Sequence, residues 1–341
     1  SAEISGCTLQ YNAAGAVSAH ESSTAKLSDC TIAETGTSGK TYAQLYLVRS
    51  SATVNKCTIS DARGGSGVAL DQSRAVLASC TIHANKQEGL HIIHASSIEL
   101  KDCSLRQNSS WGKLKSQVLL EKSSAVMEKC TITNSHSNGI LMLKESTVDI
   151  SGSTIRGNAG NAISSYDASS STLTNCVITE NGIEKKIFAQ IYLENSRVAI
   201  QKCLIKNSKG GPGIAAFKKS GVSIASSTIS DNMDNGLSCH NSSTVEIRDS
   251  TIAKNGTKGD VYSQVYLEEC TATLDRCIIT DSQWGYGVYV HGKECWIRKN
   301  YVSRVSISNT RMEKNRFGIT VNSPSSLTLE DCVIRNNFKG D

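Results

Sequence analysis

Gly89-Leu-His-Ile-Ile-His-Ala-Ser-Ser-Ile-Glu-Leu-Lys-Asp-Cys-Ser-Leu-Arg-Gln-Asn108 contains three short alternations of apolar and polar residues separated by turns. Leu90 and Ile92 alternate with His91 and Ile93, the pattern of a strand with one buried face. Ala95-Ser96-Ser97 turns the chain. Ile98 and Leu100 then point inward with Glu99 outward, and Lys101-Asp102 bends it again. Cys103 and Leu105 point inward with Ser104 outward, and Arg106-Gln107-Asn108 forms the last turn. Three strands of period two in one short stretch predict one coil of a three-sided tube.

The last third of that stretch returns along the whole chain. A Cys-Thr-Ile phrase or a close relative starts at Cys7, Cys30, Cys57, Cys80, Cys103, Cys130, Ser153, Cys176, Cys203, Ser227, Ser250, Cys277, Thr310 and Cys332. From Cys30 the spacings are 27, 23, 23, the same trio again, then 27, 24, 23 and finally 27, 33, 22. A period of about two dozen residues without helical patterning marks a solenoid of short strands. The spacings repeat in threes, so the duplicated unit is three coils of 73 residues. The expectation is an all-β, single-domain, three-sided parallel β-helix over residues 1–341 with about 13 coils, roughly 60 Å long at the strand spacing. Each strand pairs with its counterpart one coil on, the other two sides supplying the crossover that parallel pairing requires. Asn recurs five residues after the column residue, as at Asn85, Asn108, Asn158, Asn181, Asn232 and Asn255. Stacked amides of this kind pass hydrogen bonds from coil to coil.

Composition agrees with a thin core: 38% of the chain is hydrophobic and 5% aromatic. Proline, which cannot donate to a ladder, occurs only at Pro212 and Pro324. A net charge of +5 with no run of Lys or Arg gives no nucleic-acid surface, and no apolar stretch is long enough to span a membrane. The chain opens a fraction of a coil before Cys7, without a signal peptide, and reads as a piece of a longer protein. Ten of the 13 cysteines lie in the repeating column. They exchange there with Ser and Thr, so they fill space rather than form pairs. A file of thiols about 4.8 Å apart does not make a tetrahedral metal site, and neither metal nor cofactor is expected. So many free thiols suit a reducing compartment, the cytosol of a cell or of a host. Cys239, Cys270 and Cys295 lie off the column, Cys295 in the place most open to solvent.

The coils resemble the right-handed parallel β-helix repeats of the pectin-lyase-like superfamily, of the kind found in NosD-like proteins, alginate epimerases and carbohydrate-binding-and-hydrolase repeats. An Asn followed at short distance by Gly-Ile and an alternating strand carries the resemblance, as in Asn134-Ser-His-Ser-Asn-Gly-Ile140 and Asn315-Arg-Phe-Gly-Ile319. It covers essentially the whole chain. It implies the fold and leaves the activity open, because this fold hosts lyases, epimerases, hydrolases and binding scaffolds.

Enzymes of the superfamily work on the outer face of the strand after Gly-Ile. Its first outward position reads Ser18, Tyr46, Ala69, His91, Leu119, Leu141, Ser164, Tyr192, Ala215, Ser238, Tyr266, Tyr289 and Thr320. The second reads Ala19, Val48, Asp71, Ile93, Glu121, Leu143, Tyr166, Glu194, Phe217, His240, Glu268, His291 and Asn322. The calcium-binding Asp cluster and Arg base of pectate lyases, the paired Asp of hydrolases and the Asp-Pro-His phrase of alginate epimerases are all missing from it. One constellation remains as a candidate catalytic group: His240, Glu268 and His291 on successive coils, flanked by Tyr266 and Tyr289. The coil between Cys277 and Thr310 is ten residues longer than its counterparts. It forms an insertion over 293–302 that carries Trp296, with Trp284 nearby. Each 27-residue coil also carries four extra residues holding Lys before a buried-looking strand, with Lys40, Lys113 and Lys115, Lys185 and Lys186, and Lys258. These loops, with Tyr46, Tyr192 and Tyr266, form a row at intervals of about 14 Å, three strand spacings.

Two functions follow as expectations. One is a non-catalytic scaffold that binds a partner protein or an extended polymer such as a polysaccharide along its length. The other is a carbohydrate-active enzyme with its site near His240, Glu268 and His291.

Overall fold

A computed structural model describes residues 1–37, 42–110, 116–184, 186–257, 262–282, 284–292 and 302–338. The chain divides into two units, one of Ser1–Ser164 with Ala168–Ser171 and one of Ser165–Asp167 with Thr172–Asp341. Both are stacks of the same three-sided coil. Among the described residues the regular structure is all strand, and no helix is long and apolar enough to cross a membrane.

The register is the one the alternation demands. In the first unit Ala52, Ala75 and Ile98 align on one side, Ile59, Ile82 and Leu105 on the second, and Leu45, Val68 and Leu90 on the third. In the second unit Val222, Val245 and Ala272 align, as do Ile229, Ile252 and Ile279, and Leu237, Val265 and Val288. These side chains are buried and form the core. Over both units the coils number about 13.

The column of Cys, Ser and Thr has a polar reason as well as a steric one. Cys57 Sγ donates to the Asn55 carbonyl at 3.2 Å and Cys80 Sγ to the Ala78 carbonyl at 3.2 Å. Ser153 and Ser227 Oγ donate to the equivalent carbonyls, Ser151 and Ala225, both at 2.8 Å. All three residue types are small donors that satisfy the same carbonyl, which is why they interchange. Just before the column the chain turns through a left-handed residue, Asp29 at φ 53°, Lys56 at 51° and Asp102 at 53°. Non-glycine residues in this region cost about 1 kcal/mol or more each. Each also aims its N–H at the next coil: Asp29 to Asn55 O at 3.0 Å, Lys56 to Ala78 O at 2.9 Å and Asp102 to Glu128 O at 3.0 Å.

From Asn85 onward the Asn ladder runs for two coils in every three. Asn85 Nδ2 donates to Asn108 Oδ1 at 2.9 Å, and Asn232 Nδ2 to Asn255 Oδ1 at 2.8 Å. The third coil of each of these three-coil repeats carries Ser there, at Ser135, Ser208 and Ser282. The glutamines of the long coils fill the gap. Gln117, Gln190 and Gln264 are completely buried. They accept from Asn108, Asn181 and Asn255 at 2.5, 2.6 and 2.6 Å. The ladder also explains the Asn…Gly phrase. A Cβ on Gly89 would lie 2.8 Å from Asn108 Nδ2, and one on Gly236 2.7 Å from Asn255 Nδ2. A second ladder of serines runs at the corner after the third side, Ser50 N–H to Ser73 Oγ and Ser73 N–H to Ser96 Oγ, both at 3.0 Å.

Candidate functional site

The third side of the second unit carries the candidate residues. Its strands are Ile191–Glu194, Ile214–Phe217, Leu237–Cys239, Val265–Glu268, Tyr286–His291 and Phe317–Val321. Parallel stacking places like positions beside one another, and six ring-bearing side chains form a continuous pile. Tyr166 meets Tyr192 at 5.5 Å between ring centroids, Tyr192 meets Phe217 at 5.6 Å and Phe217 stacks on His240 at 4.7 Å. His240 then meets Tyr266 at 5.3 Å, and Tyr266 stacks on Tyr289 at 5.4 Å. Such pairs contribute about 0.5–1.5 kcal/mol each beyond burial. The faces of these rings are engaged with one another, so what they offer outward is edges and hydroxyls.

Three of the hydroxyls are held by named partners. Tyr192 donates to Glu194 Oε2 at 3.1 Å and Tyr266 to Glu268 Oε2 at 3.2 Å. Asn322 Nδ2 donates to the Tyr289 hydroxyl at 2.6 Å. Burial raises the phenol pKa of Tyr192 and Tyr266, and the adjoining carboxylates push the same way. The Lys218 ammonium, 2.5 Å from Glu194 Oε1, holds the Glu194 carboxyl below the usual range. Glu121 is held down in the same way by Lys144. At Glu268 the place of that lysine, after His291, is taken by Gly292. Its carboxylate turns to the preceding coil and meets His240 Nδ1 at 3.0 Å.

The structure therefore joins His240 and Glu268, with Tyr266 on the same carboxylate oxygen. His291 sits in register beside Glu268 but does not complete a His-Glu-His relay: its Nδ1 is buried without a hydrogen-bond partner. Tyr266 and Tyr289, with Ser263 and Tyr286, line a shallow cleft of about 230 Å³. Trp284 is half exposed, and Arg316 donates to its carbonyl at 3.4 Å. Lys186 is exposed. Lys40, Lys113, Lys115, Lys185, Lys258, Trp296, Cys295 and residues 293–301 of the insertion lie outside the described residues, so the row of lysine loops has no geometry to report.

Two readings need correction. On the first coil the second outward residue is His20, aligned with Val48, whereas Ala19 aligns with Leu47 and is buried. His20 meets the Tyr46 ring edge-on at 5.9 Å. The reading of the chain as rich in free thiols also meets one exception, off the column. Cys239 and Cys270 form a disulfide, with Cα atoms 6.4 Å apart. Cys239 stands where neighbouring coils place Ala216 and Leu267 in the core. Cys270 stands in the serine ladder and receives nothing from the column, its N–H donating to Ser303 Oγ at 3.1 Å. Each departs from its own repeat position, and sequence spacing gives no hint that they meet, directly behind His240 and Glu268.

Glu194 and Glu268 are three coils apart, about 14 Å at the strand spacing. Glycosidases need carboxyls about 5–9.5 Å apart. No group of three or more metal-ligating side chains exists among the described residues.

The sequence profile of the right-handed β-helix region matches residues 1–146, 43–184 and 116–302. No curated protein sequence matches. Among solved structures the fold is similar to that of the periplasmic alginate epimerase AlgG, with a TM-score of 0.60 at 13% identity over 92% of this chain and 77% of that one. It is similar to the Agl-KA catalytic domain, with a TM-score of 0.59 at 10% identity over 89% of this chain and 62% of that one. A chain of the Vag8–C1 inhibitor complex gives a TM-score of 0.50 at 11% identity over 97% of this chain and all of that one. At these identities the likeness is one of fold.

Proposed function

The chain belongs to the right-handed β-helix family, and from that premise we propose that it is a non-catalytic scaffold whose third side binds an extended polymer, carbohydrate in class, along the second unit. The observation that carries this reading is the repetition of a hydroxyl beside an acceptor, Tyr192 with Glu194 and Tyr266 with Glu268, one three-coil unit apart. A periodic array of fixed donors and acceptors suits a periodic ligand with many hydroxyls. Stacked rings hold the array in place before binding, which lowers the ordering cost of association. Fold neighbours of both kinds exist, an alginate epimerase and a chain in complex with C1 inhibitor, so a protein partner is the other occupant of such a face.

The second reading, a carbohydrate-active enzyme, has the His240–Glu268 contact at 3.0 Å in its favour. A carboxylate-oriented imidazole is a competent general base. Affinity electrophoresis against neutral and acidic polysaccharides, with parallel assay for new reducing or unsaturated ends, separates the two. Retardation without turnover supports the scaffold. Turnover abolished by His240→Ala supports the enzyme.

A further inference from the structure

The first unit holds a cleft of about 380 Å³ on its third side, lined in part by Tyr42, Tyr46, Ser66, Ala69 and His91. It exists because the ring pile is absent here. Tyr46 has Ser18 and Ala69 as its register neighbours. Tyr192 in the second unit also has an alanine beside it, Ala215, but Phe217 covers its ring. The first unit has Asp71 in the place of Phe217, and Asp71 is engaged by His94 Nδ1 at 2.9 Å. A face of Tyr46 is left open.

Behind the cleft lies a carboxylate that the repeat does not require. Glu88 is 5% exposed. Ser66 Oγ donates to its Oε2 at 3.1 Å, and His91 Nδ1 lies 3.7 Å from the same oxygen. In other coils the positions of Glu88 and His91 carry a neutral pair. Asn161 Nδ2 donates to Ser164 Oγ, and Asn235 Nδ2 to Ser238 Oγ, both at 2.9 Å. Both members changed together in one coil, beside Tyr46. The carboxylate accepts the Ser66 hydroxyl hydrogen bond and lies on the Nδ1 side of His91. The serine lone pairs and His91 Nε2 are then left as acceptors for the cleft. No Lys or Arg lines it among the described residues. Acceptors on one wall, aromatic rings on the other and a buried carboxylate behind are the chemistry that holds an organic cation.

We propose that the cleft over Ala69 binds a primary alkylammonium group, as a free amine or as a lysine side chain of a partner protein. Its nitrogen donates to His91 Nε2 and Ser66 Oγ, and its methylenes lie on Tyr46. The site is separate from the polymer-binding face and does not depend on it. Burial pushes the Glu88 carboxyl up, and a cation in the cleft favours its charged form.

The test is calorimetric titration of the protein with n-butylammonium chloride, with 1-butanol as a neutral isostere and Nα-acetyl-lysine N-methylamide as the protein-like amine. Saturable binding of an amine at least tenfold tighter than the alcohol is expected. Tighter binding of the lysine derivative than of butylammonium identifies a protein side chain as the source, and the reverse identifies a free amine. Ala69→Leu should abolish binding without unfolding, because Leu141 occupies the same register one unit on. Glu88→Gln should weaken it at least tenfold. Equal affinity for alcohol and amine, binding that survives Ala69→Leu in a protein with unchanged circular dichroism, or no saturable binding of either amine would overturn the proposal.

Discussion

Asn108 donates from Nδ2 to Gln117 Oε1 at 2.5 Å, and Gln117 passes the chain on from Nε2 to the Thr133 carbonyl at 2.6 Å. A glutamine is one methylene longer than the asparagine it replaces, and it bridges the step where the long coil interrupts the ladder. Gln117→Leu roughly keeps the volume and removes both bonds and a third, from the Asn108 backbone N–H to Gln117 Oε1 at 3.3 Å, leaving buried polar groups unpaired. The expected cost is about 1–3 kcal/mol. Urea unfolding should show a lower midpoint with an unchanged slope; an unchanged midpoint would show that the bridge contributes nothing.

The alternation and spacing around Cys103 contain the three sides, the inward residues and the register, because period two and a fixed repeat leave no other way to bury Ile98, Leu100 and Leu105. Gln117 was legible only as a strand-start marker. Its burial depends on the missing asparagine at Ser135, a comparison between coils rather than within one. The His240–Glu268 contact was legible as a shared column. Its direction was not, since it rests on Gly292 replacing a lysine. The ring pile was visible only as separate tyrosines, because Phe217 and His240 complete it from the second outward position. The Cys239–Cys270 pair and the open face of Tyr46 were hidden for a similar reason: each arises from two departures at unrelated repeat positions.

Thiol titration in denaturant checks the disulfide. Two more thiols should react after reduction than before, from Cys239 and Cys270, while Cys57, Cys80 and Cys103 react without it. Equal counts would remove the pair, and a larger difference would break the column of free thiols.

Burial pushes the Cys277 thiol up to about 11, against about 8.5 for an unfolded cysteine. Between those values the unfolded chain has lost the proton that the folded chain keeps. The unfolded state then binds fewer protons, and stability falls as pH rises from about 8.5 to 11. Cys57 is shifted in the same direction by burial. Thermal melts should show Tm level between about pH 6 and 8 and falling above it, with a shallower fall in Cys277→Ser, a change the column already accepts at Ser153. An identical alkaline profile in the variant would contradict this.

His240 and Glu268 are about a fifth and a quarter exposed, so their mutual contribution to stability is about 1 kcal/mol or less. A double-mutant cycle with His240→Ala and Glu268→Gln should return a coupling of that size. The double variant of His240 and His291 to alanine should keep its polymer binding within about threefold, as expected if neither ring is catalytic. A coupling of several kcal/mol, or complete loss of binding, would move the centre of function to these histidines.

The most direct measurement of the central claim is affinity against oligosaccharide length, with the wild type beside Tyr192→Phe, Tyr266→Phe. The account predicts that affinity rises with length until the ligand spans the roughly 14 Å between the two hydroxyls, then levels off. It also predicts that losing both hydroxyls weakens long ligands about fivefold or more, by about 0.5–1.5 kcal/mol for each bond, and that the oligosaccharides are recovered unchanged. Affinity independent of length and of both hydroxyls, or conversion of the oligosaccharide to product, would contradict it.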